Sequence, residues 1–445
     1  MTPGETSSAT GMSPFARWCV VAVLLTMYAV SYLDRQLISL LVEPLRKSLH
    51  IDDFQVSLLQ GAAFSVFYAL FGLPLGWLAD RFSKRWVLFG GMTFWSLAAA
   101  SCGLARSATT LAIARFGVGA GEAALVPVAY STIARIFPPG RVSLGIAIFT
   151  LGSSIGSALA LIIGGLVIAA AIRHGPMLLP VIGLVEPWQF VFIVTGLPGI
   201  LIALLAFTVP REPKREKVSA AVTGPGLGAY LRSRWVYLTL NITALALAAV
   251  MAFAVGAWAP TFLMRTYHVD VARAGLLIGV FHGVGGVIGL VVAGLLADRM
   301  MRKGRSDGHM RPLLWVLPLV MLLAIFAFIV APGAALSAAM TGTMMGMTST
   351  GNPIASHLQL STPPEYRARI AAITVMVQQL AGMSIGPTLV AVITQYGFGD
   401  PDMLRYAMAT SVLMLAPVAM LCLALGLRHA RAAMQAAHPE SIVIK

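Results

Sequence analysis

The chain has 445 residues, of which 58% are hydrophobic and only 11% charged, and its mean hydropathy is +0.84. This composition excludes a soluble globular protein, because a soluble domain of this length needs far more polar surface. The formal net charge of +14 does not indicate nucleic-acid binding, because most Lys and Arg residues lie in short segments between apolar runs, where basic residues set membrane topology.

Apolar runs of about 20 residues predict helices that cross a membrane. A polar N-terminal tail, 1–16, precedes the first run, which is too long for a signal peptide and is predicted to remain in the protein. The widest polar interval, 210–234, has the Pro, Gly and charge content of a linker, and 428–445 forms a C-terminal tail. The spans therefore divide into bundles at 17–209 and 235–427. Twelve spans are predicted, at 17–42, 55–79, 86–105, 108–134, 142–170, 188–209, 235–263, 271–297, 312–331, 334–360, 367–395 and 402–427.

Four strongly ionisable residues lie well inside predicted spans. The first span holds Asp34 and Arg35, and the fourth holds Arg115 and Glu122 in the sequence RFGVGAGE. A charge at the bilayer centre costs roughly 3 kcal/mol on insertion scales, so such groups usually serve a pathway, a proton relay or a ligand. Arg115 and Glu122 share one helix face about 10 Å apart. The glycines between them allow another helix to approach closely.

These residues are candidates for proton coupling. Burial favours the neutral form of a carboxylate, whereas a nearby guanidinium favours its charged form. Making and breaking such a contact would convert a change of shape into proton uptake or release. Asp34 and Glu122 are the candidate carboxylates, and Arg115 is their candidate partner because it remains charged. Arg35 is rotated about 100° from Asp34 and is assigned either to an anionic substrate group or to the carboxylates of the fourth span. The alternative is that the buried pairs only lock helices together.

A ten-residue motif occurs at equivalent places in the two halves. It reads GWLADRFSKR at 76–85, at the end of the second span, and GLLADRMMRK at 294–303, at the end of the eighth. The duplication predicts that the two halves are internal repeats. Lys and Arg are roughly threefold more abundant on the side that carries both termini, which places the termini in the cytoplasm. Each motif could also be no more than a solvated cluster of charges.

The repeated motif, the six-plus-six spans and the basic linker resemble the major facilitator superfamily over essentially the whole chain. Within it, YLDR at 32–35 and RFGVGAGEAA at 115–124 are most similar to the spinster-type lipid transporters. Proton-coupled organic-anion symporters of the same superfamily carry a similar pattern. The resemblance implies an all-α membrane protein with twelve transmembrane helices in two six-helix bundles, parallel halves and alternating access.

The resemblance also implies a central cavity lined by the first, fourth, seventh and tenth spans. Their side chains would make one wall of the cavity apolar and the other charged. The tenth span is rich in Met, which is flexible and suits surfaces that accept varied apolar shapes, although Met in a span can also face lipid or the core. An amphipath with an anionic head fits this asymmetry better than a sugar. The predicted substrate contacts are Arg35, Tyr28, Tyr32, Phe253, Trp258, Met344 and Met347.

The resemblance assigns a role to the repeated motif. In the superfamily it resembles a latch, whose Asp meets the positive N-terminal end of a helix in the opposite bundle and holds the cytoplasmic side shut. The residues implied in this latch are Asp80, Arg81, Arg85, Asp298 and Arg299.

The sequence therefore predicts a proton-coupled secondary transporter and not an enzyme. Its expected substrate is an amphipathic anionic lipid such as a lysophospholipid or a sphingoid phosphate. A small organic anion such as a sugar acid is the alternative. The second half is predicted to offer no buried Lys or Arg, which favours the lipid. No cofactor, metal or nucleic acid is expected, and the protein is predicted to be a monomer in a bacterial inner membrane.

Overall fold

The structure, a computed structural model, describes residues 12–138, 141–180, 182–210, 227–303, 307–308, 310–348 and 352–437. These residues are almost entirely helical, and their strands form one two-stranded antiparallel hairpin. The chain divides into two compact units. Unit 1 comprises Met1–Ile51 and Ala63–Glu216, and unit 2 comprises Asp52–Ala62 and Lys217–Lys445.

Unit 1 contains the hairpin and most of the helices of the first half, numbered here in chain order. Its elements are α1 (Pro14–Leu40), α2 (Val42–Leu49), α4 (Ala62–Arg81), α5 (Lys84–Cys102), α6 (Ala108–Glu122), α7 (Leu125–Ile136), α8 (Val142–His174), β1 (Met177–Leu179), β2 (Gly183–Val185), α9 (Pro187–Gly196), α10 (Pro198–Ala203) and a 3-10 helix (Leu204–Thr208).

Unit 2 contains the helices of the second half and one short helix of the first. Its elements are α3 (Asp53–Gln60), α11 (Leu227–Ser233), α12 (Trp235–Tyr267), α13 (Val271–Arg302), α14 (Arg311–Ile325), a π-helix (Phe326–Val330), α15 (Ala334–Thr348), α16 (Asn352–Leu360), α17 (Pro364–Val392), a π-helix (Ile393–Phe398), a 3-10 helix (Pro401–Met403) and α18 (Leu404–Ala437).

Ten helical segments within the described residues are long and apolar enough to cross a membrane. They overlap ten of the twelve predicted spans, so the all-α membrane class is confirmed and the count of twelve remains a prediction. Helix α5 covers residues 86–102 of the predicted span 86–105, but it begins with Lys84 and Arg85, whose charges lower its mean hydropathy. The predicted span 334–360 is described as two shorter helices, α15 and α16.

Glycines allow helices within each unit to pack backbone against backbone. In unit 1, a Cβ at Gly156 of α8 would lie 2.5 Å from the carbonyl oxygen of Ala29 in α1. In unit 2, a Cβ at Gly289 of α13 would lie 2.0 Å from the carbonyl oxygen of Gly346 in α15. Small residues favour such approaches in membranes, where helix association depends on van der Waals packing. The approach of α8 to α1 fixes the helix that carries Asp34 and Arg35.

Helix α3 is held within unit 2 by charged and polar groups. Both terminal nitrogens of Arg265, at the end of α12, donate to the carboxylate of Asp53 at 2.8 Å. Gln395 Nε2 donates to Asp52 Oδ2 at 2.8 Å. The side chain of Arg265 is nearly buried, but no Lys or Arg among the described residues of the second half is fully buried, so the prediction that this half has no buried Lys or Arg stays a prediction. The carboxylate of Asp53 compensates the charge of Arg265. Arg265 itself lies just beyond the predicted span 235–263.

A second ion cluster joins the segment after α13 to the end of α18. The buried carboxylate of Asp307 accepts hydrogen bonds from Nε of Arg311 at 2.9 Å and from Nε of Arg431 at 2.7 Å. Burial by itself raises the pKa of Asp307, but the hydrogen bonds and charges of the two arginines outweigh it and hold this pKa below its ordinary value. Folding therefore favours the ionised form of this carboxylate.

Replacing Asp307 with Asn is expected to destabilise the protein at pH 7 by about 1 kcal/mol, because both arginines are partly exposed and solvent screens their attraction. Since the folded-state pKa is lowered, the contribution of Asp307 is complete above its unfolded-state pKa of about 3.9 and is lost as the pH falls through the folded-state value. Thermal denaturation of both proteins at pH 7 and pH 3 measures the difference. The exposed Asp402→Asn variant is the control. A difference that is equally large at both pH values would show that the ionisation of Asp307 is not its cause.

Candidate functional site

The structure encloses all four predicted membrane charges within unit 1. Asp34 and Arg35 lie near the end of α1, and Arg115 and Glu122 lie on α6. Their exposed fractions are 3%, 8%, 1% and 1%. These groups are therefore removed from the lipid and from most of the solvent. We call them the charge cluster.

Arg35 and Glu122 form the ion pair of the charge cluster. Arg35 Nε donates to Glu122 Oε2 at 3.2 Å, and Arg35 Nη2 donates to Glu122 Oε1. This two-point arrangement is the geometry that a guanidinium and a carboxylate favour. Of the two roles considered for Arg35, the structure places it against the carboxylate of the fourth span. Arg115, the partner predicted for that carboxylate, lies almost two turns away on the same helix.

Glu122 lies where the fourth predicted span is interrupted. Helix α6 ends at Glu122, and α7 begins at Leu125. The local cause is Pro127, which has no amide hydrogen to donate to the carbonyl group of Ala123. The sequence thus positions Glu122 at the end of a helical segment inside the membrane-spanning region.

Arg115 and Asp34 meet through the backbone. Arg115 Nη1 donates to the backbone carbonyl oxygen of Asp34 at 3.2 Å. Asp34 Oδ1 is buried and has no hydrogen-bond partner among the described residues. A buried carboxylate oxygen without a donor is costly when it is charged. Asp34 is therefore the member of the charge cluster best placed to take up a proton.

Aromatic rings surround the guanidinium of Arg35. Its Cζ lies 4.6 Å from the ring centre of Phe64, 4.8 Å from that of Tyr32 and 5.2 Å from that of Tyr68. Arg115 Cζ lies 5.6 Å from the ring of Phe64, so both guanidiniums lie near this one ring. Cation–π attraction partly replaces the hydration that burial removes. Phe64 and Tyr68 are not among the site residues predicted from the sequence. They are four residues apart in α4 and therefore lie on one helix face. This spacing is the feature of the sequence that could have identified them.

The other tyrosines predicted to contact substrate extend this aromatic group. The ring of Tyr28 stacks on Phe149 of α8 with centres 4.7 Å apart, and its edge meets Tyr32 at 5.2 Å. The ring of Tyr130 in α7 meets Phe149 nearly at right angles, with ring centres 5.8 Å apart. Unit 1 therefore brings Tyr28 and Tyr32 next to the charge cluster. The sequence predicts a site of this kind, in which an apolar part lies beside a charged part.

The predicted contacts of the second half lie within unit 2. Trp258 is fully buried, and its Nε1 donates to the carbonyl oxygen of Pro387 at 2.9 Å. Met344 borders a narrow apolar gap with no room for a water molecule. Phe253 packs against glycines of α17, and Met347 is partly exposed. In this structure Trp258 and Met344 are core residues of unit 2, and the substrate roles of all four residues remain predictions.

The latch also remains a prediction, because the side chains of Asp80 and Asp298 lie outside the described residues. Arg81 stacks on Trp77, one turn earlier, with Cζ 4.2 Å from the ring centre. Arg85 Nη2 donates to the carbonyl oxygen of Val209 at 2.7 Å. Arg299 is exposed.

Gly119 permits α6 to approach α4, which carries Phe64. A Cβ at Gly119 would lie 2.3 Å from the carbonyl oxygen of Phe64. We expect Gly119→Ala to push the two helices apart and to destabilise the protein by about 1–3 kcal/mol, as overpacking does. Thermal denaturation in detergent measures the effect. Gly90→Ala is the matched control, because no atom lies within 4 Å of a Cβ there. Equal stability of the two variants would contradict the close approach.

Apolar membrane-spanning helices that enclose paired ionisable groups are typical of multi-span membrane transport proteins. A sequence profile of the Major Facilitator Superfamily matches residues 24–387. The chain belongs to this superfamily, so it is a transporter and not an enzyme.

Several known transporters are similar to this chain in sequence. An MFS-type efflux pump of Mycolicibacterium smegmatis is 28% identical over 397 residues, which cover 88% of this chain and 87% of the relative. Human protein spinster homolog 1 is 29% identical over 58% of this chain, but the match spans only 48% of the human protein. Further relatives are named as transporters of sugar acids.

Among solved structures, a bacterial homolog of the human lysosomal transporter spinster, in an inward-facing and occupied conformation, is similar in fold. The TM-score is 0.75, the identity is 22%, and the match covers 95% of this chain and 98% of that one. The predicted membership of the major facilitator superfamily is therefore confirmed, and spinster homologs are among the proteins that this chain resembles in sequence and in fold.

Proposed function

We propose that the protein is a proton-coupled secondary transporter that works by alternating access in a bacterial inner membrane, and that its substrate is an amphipathic anionic lipid. The observation that carries the proposal is the charge cluster. It contains a buried Arg35–Glu122 ion pair and, on the residue beside Arg35, a buried carboxylate oxygen of Asp34 without a donor.

In this proposal, the net charge of the cluster couples the binding of a proton to the binding of an anion. Two guanidiniums and two carboxylates sum to zero when all four groups are ionised. When Asp34 takes up a proton, the cluster carries one positive charge in a low-dielectric environment. Such a charge attracts an anion strongly because little solvent screens it. Proton binding and anion binding therefore support each other in this scheme, whether the substrate is a lipid or a small anion.

The aromatic surroundings favour the lipid. Tyr28, Tyr32 and Phe149 extend from the charge cluster as a continuous aromatic group. A headgroup phosphate could lie near Arg35 while apolar chain atoms contact the rings. The similarity to a spinster homolog supports this choice. A small organic anion such as a sugar acid remains the second candidate, supported by the relatives named for such substrates.

Transport by the purified protein in proteoliposomes tests the proposal. A lysophospholipid, a sphingoid phosphate and a hexonate are offered with and without a pH gradient. We expect the gradient to accelerate movement of at least one lipid anion and to leave the hexonate outside. Movement of the hexonate alone would select the second candidate. Movement that is independent of the gradient for all three would refute proton coupling.

A further inference from the structure

The connection between α8 and α9 contains no polar side chain from Gly175 to Val185. It reads GPMLLPVIGLV, and it is preceded by Arg173 and His174 and followed by Glu186. Connections that lie in water are usually rich in polar residues. A wholly apolar connection with charged residues at both ends has the composition of a segment that contacts lipid.

The structure shows a hairpin with a defined backbone at this place. Met177 pairs with Val185, Leu178 with Leu184 and Leu179 with Gly183. Gly183 has a φ of +88°, and no atom lies within 4 Å of a Cβ built there. Glycine is therefore required here because side-chain-bearing residues rarely adopt this positive φ. A side chain at this position would not lack space.

The two faces of the hairpin have different surroundings. Side chains alternate between the faces of a strand. Val185 is buried, and its partner Met177 is half-buried. On the opposite face, Leu178 and Leu184 are adjacent across the strands and are 80% and 65% exposed. Isolated exposed leucines are common, but two paired leucines on an entirely apolar hairpin form a patch that indicates an interaction surface.

Helix length places this patch at the edge of the membrane. The segment Pro187–Thr208 has 22 residues and is therefore about 33 Å long, close to the hydrocarbon thickness of about 30 Å. The hairpin ends directly before it and so lies near the boundary between acyl chains and headgroups. In the two flanking helices, Ile172 of α8 and Val194 of α9 are also apolar and exposed. Arg173, also exposed, suits the phosphates of lipid headgroups.

We propose that the outward face of the hairpin, formed by Leu178 and Leu184, inserts into the lipid bilayer at this boundary. Amphipathic elements at membrane interfaces bury their apolar face roughly 5–10 Å deep. The hairpin then fixes the α8–α9 connection to the membrane surface. This proposal depends on the membrane-spanning helices and is independent of the charge cluster and of the substrate.

Fluorescence quenching in proteoliposomes tests the insertion. In a full-length variant whose cysteines (Cys19, Cys102 and Cys422) are replaced by Ala, Leu178→Cys and Leu184→Cys are labelled separately with a fluorophore. Arg106→Cys is the control. Arg106 is exposed in the connection between α5 and α6, which lies on the same side of the membrane because two spans separate it from the hairpin.

Brominated lipids are expected to quench labels at 178 and 184 about threefold more than a label at 106, and aqueous iodide is expected to show the reverse order. The insertion is refuted if iodide reaches 178 as readily as 106 and lipid does not quench it. Protection from both quenchers, with disulfide cross-linking of Leu178→Cys between two molecules, would refute it in favour of a second copy of the chain. If a label at 178 or 184 prevents folding, Ile182→Cys at the exposed turn gives the same comparison.

Discussion

Glu122→Gln is expected to abolish transport driven by a proton gradient and to lower stability. The substitution removes a carboxylate that binds Arg35 through two contacts in a buried place. Removal of one partner of a buried ion pair costs about 3–5 kcal/mol, because the remaining charge has lost its counter-charge. The loss of transport would have a separate cause, since without the charge of Glu122 the cluster stays positive even when Asp34 is ionised, and loss of the proton would no longer release the anion. Thermal denaturation and gradient-driven uptake in proteoliposomes measure the two effects.

A double variant separates these two effects. Arg35→Met with Glu122→Leu removes both charges, and well-packed apolar residues often replace a buried ion pair without loss of stability. The sulfur of Met can also contact the rings around Arg35. We expect the double variant to recover stability but not transport. If it transports normally, the pair only holds α1 and α6 together. Glu43→Gln is the control, because the Glu43–Arg46 pair is partly exposed and its loss is expected to change little.

Asp34→Asn is expected to abolish proton-driven accumulation without lowering stability. The amide has nearly the shape of the carboxyl group and no charge, and the buried Oδ1 that lacks a donor then no longer carries part of a negative charge. The variant fixes the cluster in the charge state of the protonated protein. We therefore expect the exchange of labelled for unlabelled substrate to persist, while accumulation against a gradient falls at least tenfold, to the level of an uncoupled protein.

The exposed Asp270 provides the matched control for this substitution. Its carboxylate caps α13 by accepting a hydrogen bond from the backbone amide of Arg273, and Asn caps a helix as well as Asp does. Asp270→Asn is expected to leave both accumulation and exchange unchanged. Gradient-driven accumulation by Asp34→Asn at the wild-type level would remove Asp34 from proton coupling. Glu122 would then be the remaining candidate.

Most of the helical framework is predictable from local sequence. Hydropathy located the ten segments that the structure supports as candidate spans, because the requirement for about 20 apolar residues is satisfied within each segment. It did not predict that α6 ends at Glu122, although Pro127 provides the cause. It also missed the hydrogen bonds of Arg265 with Asp53 and of Arg431 with Asp307, since both join residues far apart in the sequence.

The candidate site is predictable in its composition but not in its pairing. The sequence identified Asp34, Arg35, Arg115 and Glu122 because charged residues are conspicuous in apolar runs. It assigned Arg115 to the carboxylates and left Arg35 either to an anionic substrate group or to the carboxylates of the fourth span, and the structure pairs Arg35 with Glu122. Arg115 shares a helix with Glu122, and a separation of almost two turns is too long for direct contact.

By itself, the sequence determined that this protein spans a membrane many times, that its first half carries buried charges and that its two halves share a motif. These properties depend on hydropathy and on local spacing, which the order of residues fixes directly. Only the tertiary structure decided which guanidinium meets Glu122, which rings surround Arg35 and which oxygen of Asp34 lacks a donor. Those outcomes depend on how closely α1, α4, α6 and α8 approach one another and how each is rotated about its axis. Packing at Gly119 and Gly156 sets that approach, and a hydropathy pattern does not encode it.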